Sequence, residues 1–328
     1  MSNSKIFERL KRKRFFSIGR AGMDFYAEPP GTEFEQANNF SAHIGGSAGN
    51  IAVALAKLDC ELELVTCFSD DAVGRFTAKK LHEFGVGTSH CRIVGGEARN
   101  TLAVIETRLT DCQSVIYRNG AADFEMNSKD VNILDYEGTG GVIVSGTALA
   151  EEPSRSAIFS AIEHARLANT PIIIDMDYRP YSWASPEEAK EVYSSAISQC
   201  DIVIGNDVEF GVVAGNQIEG LNCATQLVSE TPEIVIYKMG EFGSKTLTKN
   251  KQFDTGVFPV QAIKPTGAGD SFMGGLIAGL ANCMTLEEAV IQGSACAALV
   301  VTRVACSTAM PFQTEISEFL KINTISQI

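Results

Sequence analysis

Apolar, strand-like runs alternate with helical patterns through most of this chain, and that alternation restricts its fold more than any other feature. Runs at 15–18, 62–66, 141–145, 171–175, 201–204 and 234–238 read as central strands, with helices at 48–58 and 153–168 among the segments between them. In the first of these helices Ile51, Leu55 and Leu58 share a face. Strands and helices in that order imply an α/β fold: a doubly wound, mostly parallel sheet flanked by helices. After Ser244, short strands are expected through Val260, followed by helices at 270–281 and 286–302.

Two segments break the alternation. Residues 22–44 are rich in Pro, Gly and acidic side chains, and residues 97–127 carry β-branched residues in strand-like runs. Thr101, Ala103, Ile105 and Thr107 recur at every second position, as in a strand covered on one face. Both segments are read as a small β-sheet lid inserted in a single domain spanning 1–328.

Composition narrows the function. With 45% hydrophobic residues the chain has ample material for a core. Forty acidic against 27 basic residues give a net charge of -13, which opposes nucleic acid and anionic membranes as partners. Nine scattered cysteines without a C-x-x-C pair fit reduced cytoplasmic thiols better than a disulfide framework or a zinc site. The basic start at 5–14 leads into a strand-like run and not a signal-peptide core, and no apolar run is long enough to span a bilayer. A cytoplasmic protein that uses oxygen ligands for any metal is expected.

The chemistry is concentrated at Lys264-Pro-Thr-Gly-Ala-Gly-Asp270. Gly267, Ala268 and Gly269 leave the backbone bare before an apolar helix, so their amides can cradle a phosphoryl group at the positive end of the dipole. Asp270 follows at once, placed to accept a proton from an alcohol. Read alone, the same residues also fit a glycine turn and an Asp that caps a helix. In Gly45-Gly46-Ser-Ala-Gly-Asn50 the glycines permit close approach of a ligand, and Asn50 offers a donor and an acceptor to a polyol. Asp24, after the first strand, could clamp two sugar hydroxyls or simply sit in a turn.

In chain order these elements resemble the ribokinase, or PfkB-type, carbohydrate kinases. Gly45 to Asn50 is similar to that family's first glycine-rich signature, and Gly267 to Asp270 to its C-terminal one. The resemblance covers nearly the whole chain. It implies a ribokinase-like sheet with a β lid, and ATP with Mg2+ as phosphoryl donor. It further implies Asp270 as base, with Gly267, Ala268 and Gly269 as the anion cradle. Asp24, Gly45, Gly46 and Asn50 then bind the acceptor. Asn206 to Glu209 resembles the family's Asn-x-x-Glu element, with Glu209 acting on the metal indirectly through water. Asn206, Lys238, Gly240, Gly243 and Ser294 fall at nucleotide-lining positions. Without the family, these segments read as a helix cap, a tight turn between strands and small residues for helix packing.

The segments Gly19 to Thr32 and Asp175 to Trp183 resemble the subgroup whose acceptor is 5-dehydro-2-deoxy-D-gluconate, an acid sugar of myo-inositol breakdown. Arg118 resembles a lid position that meets an acid sugar, where its guanidinium would pair with the substrate carboxylate. Arg179 would act on the phosphate or the substrate, or form an ion pair with Asp175 or Asp177. Acceptors such as 2-keto-3-deoxygluconate or fructose remain alternatives, as does a catalytically silent sensor of sugar or nucleotide. Lys264 stands where many members carry an Asp that helps to hold an activating potassium ion. A monovalent cation is therefore doubtful here, and the lysine ammonium is expected to take part of its role. The exposed strands of the lid suggest a homodimer.

Overall fold

Consecutive branched residues on the central strands point to opposite faces, and both faces are buried, which explains why these strands lack a polar alternation. The computed structural model describes residues 5–108 and 113–326. Its strands are β1 (Arg14–Ile18), β2 (Gly22–Glu28), β3 (Asn39–Gly45), β4 (Glu61–Ser69), β5 (Gly87–Val94), β6 (Leu102–Ile105) and β7 (Ser114–Tyr117), followed by β8 (Gly141–Ser145), β9 (Ile172–Asp175), β10 (Ile202–Asn206), β11 (Ile234–Lys238), β12 (Ser244–Thr248) and β13 (Gln252–Thr255).

A nine-stranded sheet has the order β13-β12-β11-β10-β9-β8-β1-β4-β5. Strands β5 through β11 along that order are parallel, and only β12 and β13 add antiparallel pairings at one edge. Phe15, Leu64, Ile143, Ile173, Ile204 and Ile236 join one core with the helices Ser47–Ala56, Ala268–Ala281 and Leu286–Val301. On the other face, Phe16, Val65, Val144, Ile174, Val203 and Val235 pack against helices Ser154–Leu167 and Pro186–Ile197. Gly274 approaches Ala54 so closely that a Cβ on the glycine would overlap the alanine methyl, which locks Ala268–Ala281 onto Ser47–Ala56.

The lid is a four-stranded sheet, β3-β2-β6-β7. Its inner face buries Tyr26, Ala103 and Ile105 with Cys306. The predicted alternation holds: Thr101, Ala103, Ile105 and Thr107 are all buried. Residues 109–112 of the expected lid segment, Cys112 among them, lie outside the described residues.

The expected strand pairing through Val260 stops at Thr255. Beyond it Gly256 is pressed against Ser326, and Val257 exchanges hydrogen bonds with Ser326, so the chain terminus draws this segment away from the sheet. Among the described residues no helix is long and apolar enough to cross a membrane.

Candidate active site

Strand β1 is where the connections reverse, with β4 and β5 on one side and β8 to β11 on the other. In open α/β sheets, ligands occupy the crevice at the carboxyl ends of strands beside such a switch point. Predicted and unpredicted residues alike stand at these strand ends. Arg20 follows β1, Asp175 ends β9, Asn206 ends β10 and Lys238 ends β11.

Helix Ala268–Ala281 points its N-terminus at this crevice. Its N-cap is Gly267, at φ 84, and no side chain caps it, so the first amides have no intrahelical partner. A Cβ on Gly269 would lie 3.2 Å from Lys238 Nζ, which brings an ammonium against the amide cradle. Asp270, in the first turn, accepts a 2.8 Å hydrogen bond at Oδ2 from Asn50 Nδ2. Its carboxyl reaches the cleft surface, yet it is pushed up to about 7, first by burial and then by Asp177, against Asn50, Arg179 and Lys238. Asn50 Oδ1 is buried and has no hydrogen-bond partner among the described residues.

Asp24 descends from the lid strand β2 toward the same crevice. A Cβ on Gly45 would overlap its carboxylate, and one on Gly46 would come within 2.5 Å of the Arg20 carbonyl oxygen. Close backbone approach, anticipated for a ligand, is thus already used by Asp24. Burial raises the Asp24 carboxyl to about 6, opposed by Arg20, Tyr26 and Lys264. The Tyr26 hydroxyl lies 3.5 Å from Asp24 Oδ2 and 3.2 Å from Cys306 Sγ. Lys264 is fully buried and donates from Nζ to the Thr266 carbonyl at 2.5 Å, in the loop that leads to Gly267.

A third cluster forms the floor. Glu209 Oε2 accepts from the Asn206 amide at 2.7 Å, and Oε1 from the Tyr178 amide at 3.0 Å. Asn206 Oδ1 accepts from the Glu209 amide in return, so this pair is a helix capping box as well as part of the site. Burial raises the carboxyls of Asp175 and Glu209, while Lys238 opposes the rise. Arg179 pairs with Asp177 Oδ1 at 2.5 Å, the ion pair weighed from sequence, and its side chain stays 40% exposed. Asp177 has a left-handed φ of 38, and among the described residues its buried Oδ2 has no hydrogen-bond partner.

Among the described residues no three His, Cys, Asp or Glu side chains converge to hold a metal by themselves. Asp177 and Glu209 are the described carboxylates that could meet the hydration shell of a Mg2+ ion ligated mostly by phosphates and water.

The remaining candidates are placed as follows. Arg118 is buried, donates from Nε and Nη2 to Asp123 Oδ2 at 3.2 and 2.5 Å, gives Nη1 to the Thr147 carbonyl and lies over the Phe124 ring. Gly240 and Gly243, at φ 58 and 82, form the tight turn from β11 to β12. Ser294 lies in Leu286–Val301, beside the close contact of Gly293 with Phe272. Sequence reasoning gives no role to Asp123 or Arg20 and names Asp175 and Asp177 only as ion-pair partners for Arg179. The Asp-x-Asp spacing at 175–177 was the one visible signal for that pair.

The sequence profile of the pfkB family carbohydrate kinases matches residues 12–313. The chain belongs to this family. A 5-dehydro-2-deoxygluconokinase from Photobacterium profundum is 38% identical to this pfkB kinase over 309 residues, 93% of each chain. A fructokinase double mutant from Vibrio cholerae O395, solved with fructose, ADP and potassium ion, has a TM-score of 0.82 at 26% identity, covering 94% of this chain and 98% of that one. A putative ribokinase II from E. coli, solved with ATP and Mg2+, shares the fold with a TM-score of 0.83 at 20% identity, covering 94% and 99%. This pfkB kinase therefore has the ribokinase-like fold expected from its sequence.

Proposed function

We propose that this pfkB kinase transfers the γ-phosphoryl group of ATP to the terminal hydroxyl of 5-dehydro-2-deoxy-D-gluconate. The observation that carries the reaction is the Asp270 carboxylate, held by Asn50 at the uncapped start of a helix beside Lys238. The acceptor is supported by the relative's name and by the likeness of 19–32 and 175–183 to its subgroup.

Asp24 and Asn50 Oδ1 hold acceptor hydroxyls, while Arg118, expected to meet the acid group, is paired with Asp123 and braces that end of the pocket. Asp270, near 7, is largely ionised just above neutrality and removes the proton of the attacking hydroxyl as its oxygen bonds to phosphorus. The bond from phosphorus to the β-phosphate oxygen breaks in the same displacement, releasing ADP. Amides of Gly267, Ala268 and Gly269, with Lys238 and Arg179, stabilise the equatorial charge. Asn206, Gly240, Gly243 and Ser294 line the nucleotide. Asp177 and Glu209 would hold the water shell of a Mg2+ ion, which when bound would supply charge neutralisation for the phosphates.

Lys264 takes over part of the role of a monovalent cation, because its buried ammonium fixes the Thr266 carbonyl at the entrance to the cradle. The lid's outer face carries Phe40, Val115 and Tyr117, exposed by 40%, 51% and 60%, and supports pairing with a second copy. Unpaired cysteines among the described residues fit a cytoplasmic protein. The whole chain acts as one kinase domain with the lid inserted.

Fructose is the second acceptor to consider, because the Vibrio cholerae structure holds it. ADP release measured over a panel of 5-dehydro-2-deoxygluconate, 2-keto-3-deoxygluconate and fructose decides among them. The highest kcat/KM is expected for the first. ATP turnover with none of them would leave a silent sensor as the better reading.

A further inference from the structure

Arg20 is 6% exposed, and among the described residues its guanidinium has no hydrogen-bond or ion-pair partner. A guanidinium that is mostly buried, keeps a narrow access to water and bonds no protein acceptor is free to take a ligand's carboxylate. The turn that carries it is rigid. Gly19, at φ 143, has no room for a Cβ, which would meet Ser145 at 2.9 Å. The Arg20 carbonyl accepts from the Gly49 amide at 3.2 Å.

Neighbouring carboxylates are otherwise engaged. Asp123 Oδ1 accepts from Thr101 Oγ1 at 2.8 Å, and Oδ2 is taken by Arg118. Asp24 faces Gly45 and the Tyr26 hydroxyl. The Arg20 charge nevertheless acts on Asp24, Asp123 and Tyr181, which puts it on the lid side of the crevice. The charges acting most on Asp270 are those of Asp177, Arg179 and Lys238, so the transferring phosphoryl group has its own set.

We propose that Arg20 binds the carboxylate of the acceptor through a two-point guanidinium contact, and that Arg118 is a positioning residue that keeps Asp123 from neutralising it. This rests on the acid-sugar reading of the acceptor. Arg20 is then the selectivity determinant that separates an acid sugar from a neutral one at a site otherwise built for hydroxyls.

The test compares wild type with Arg20→Gln and Arg20→Lys. The readout is kcat/KM for 5-dehydro-2-deoxygluconate and for the analogue with CH2OH in place of the carboxylate, or inhibition constants where turnover is too slow. An ADP-induced rise in melting temperature verifies that each variant is folded. The acid-to-neutral ratio should fall roughly 10- to 100-fold in Arg20→Gln, chiefly through KM, with partial recovery in Arg20→Lys. Equal losses for both acceptors, or an unchanged ratio in a folded variant, overturn the assignment of Arg20 while leaving the acid acceptor in place. A wild-type enzyme that favours the neutral analogue overturns the acceptor and the role of Arg20 together.

Discussion

Asn50 and Asp270, separated by 220 positions in the chain, meet through a hydrogen bond of 2.8 Å from Asn50 Nδ2, and Asn50 Oδ1 has no partner among the described residues. One side chain thus holds the base and presents an acceptor for a substrate hydroxyl. Replacing Asp270 with Asn keeps the shape of this contact and removes the base. Turnover should fall by about 10^2 to 10^4, with ADP binding retained, in steady-state assays and nucleotide titrations. Unchanged turnover would remove Asp270 from the mechanism.

The same pair sets a pH dependence. Asp270 must be ionised to act, so kcat/KM should rise with pH to a limb near 7 and level off above it. Asn50 donates to the ionised form and lowers the carboxyl, so Asn50→Ala should move that limb to higher pH. A limb that stays in place, or moves down, contradicts this coupling.

Stability should respond in the opposite sense. The raised Asp270 carboxyl binds a proton in the folded state at pH values where the unfolded chain has lost it, so its contribution falls as pH rises from 3.8 to about 7. Asp270→Asn should therefore raise the melting temperature more at pH 8 than at pH 5. Equal shifts at both pH values would show that the carboxylate is not under this strain.

Gly45→Ala forces a methyl into the Asp24 carboxylate. Overlap of this kind costs about 1–3 kcal/mol. The expected result is a roughly 5- to 150-fold higher KM for the acceptor with ADP affinity preserved, read from initial rates and nucleotide titration.

Wild-type activity should not depend on potassium, because Lys264 already holds the Thr266 carbonyl. Rates in potassium and tetramethylammonium salts should agree, and Lys264→Met should lower kcat about 10-fold. Strong activation of the wild type by potassium sinks this idea.

The legible parts of the sequence were those fixed by local chemistry. Strands β1, β8, β9 and β10 are apolar along their length because both faces are covered, whereas β5 alternates weakly at a half-exposed edge and went unnamed. Asp270 could be read because glycines, a carboxylate and a helix start are contiguous. The engagement of Asp24 with Gly45 could not, since it depends on the β2–β3 register, in which Gly22 faces Gly45. Arg118 and Asp123 are near neighbours in sequence, but only the folded backbone shows that they spend their charges on each other while Arg20 does not.

The tight seating of Gly274 on Ala54 has a consequence during synthesis. A growing polypeptide presents Ser47–Ala56 early and must wait for Ala268–Ala281 before that surface finds its match. Fragments that end upstream should be inert toward nucleotide, and the protein becomes competent only once Ala268–Ala281 has left the ribosome.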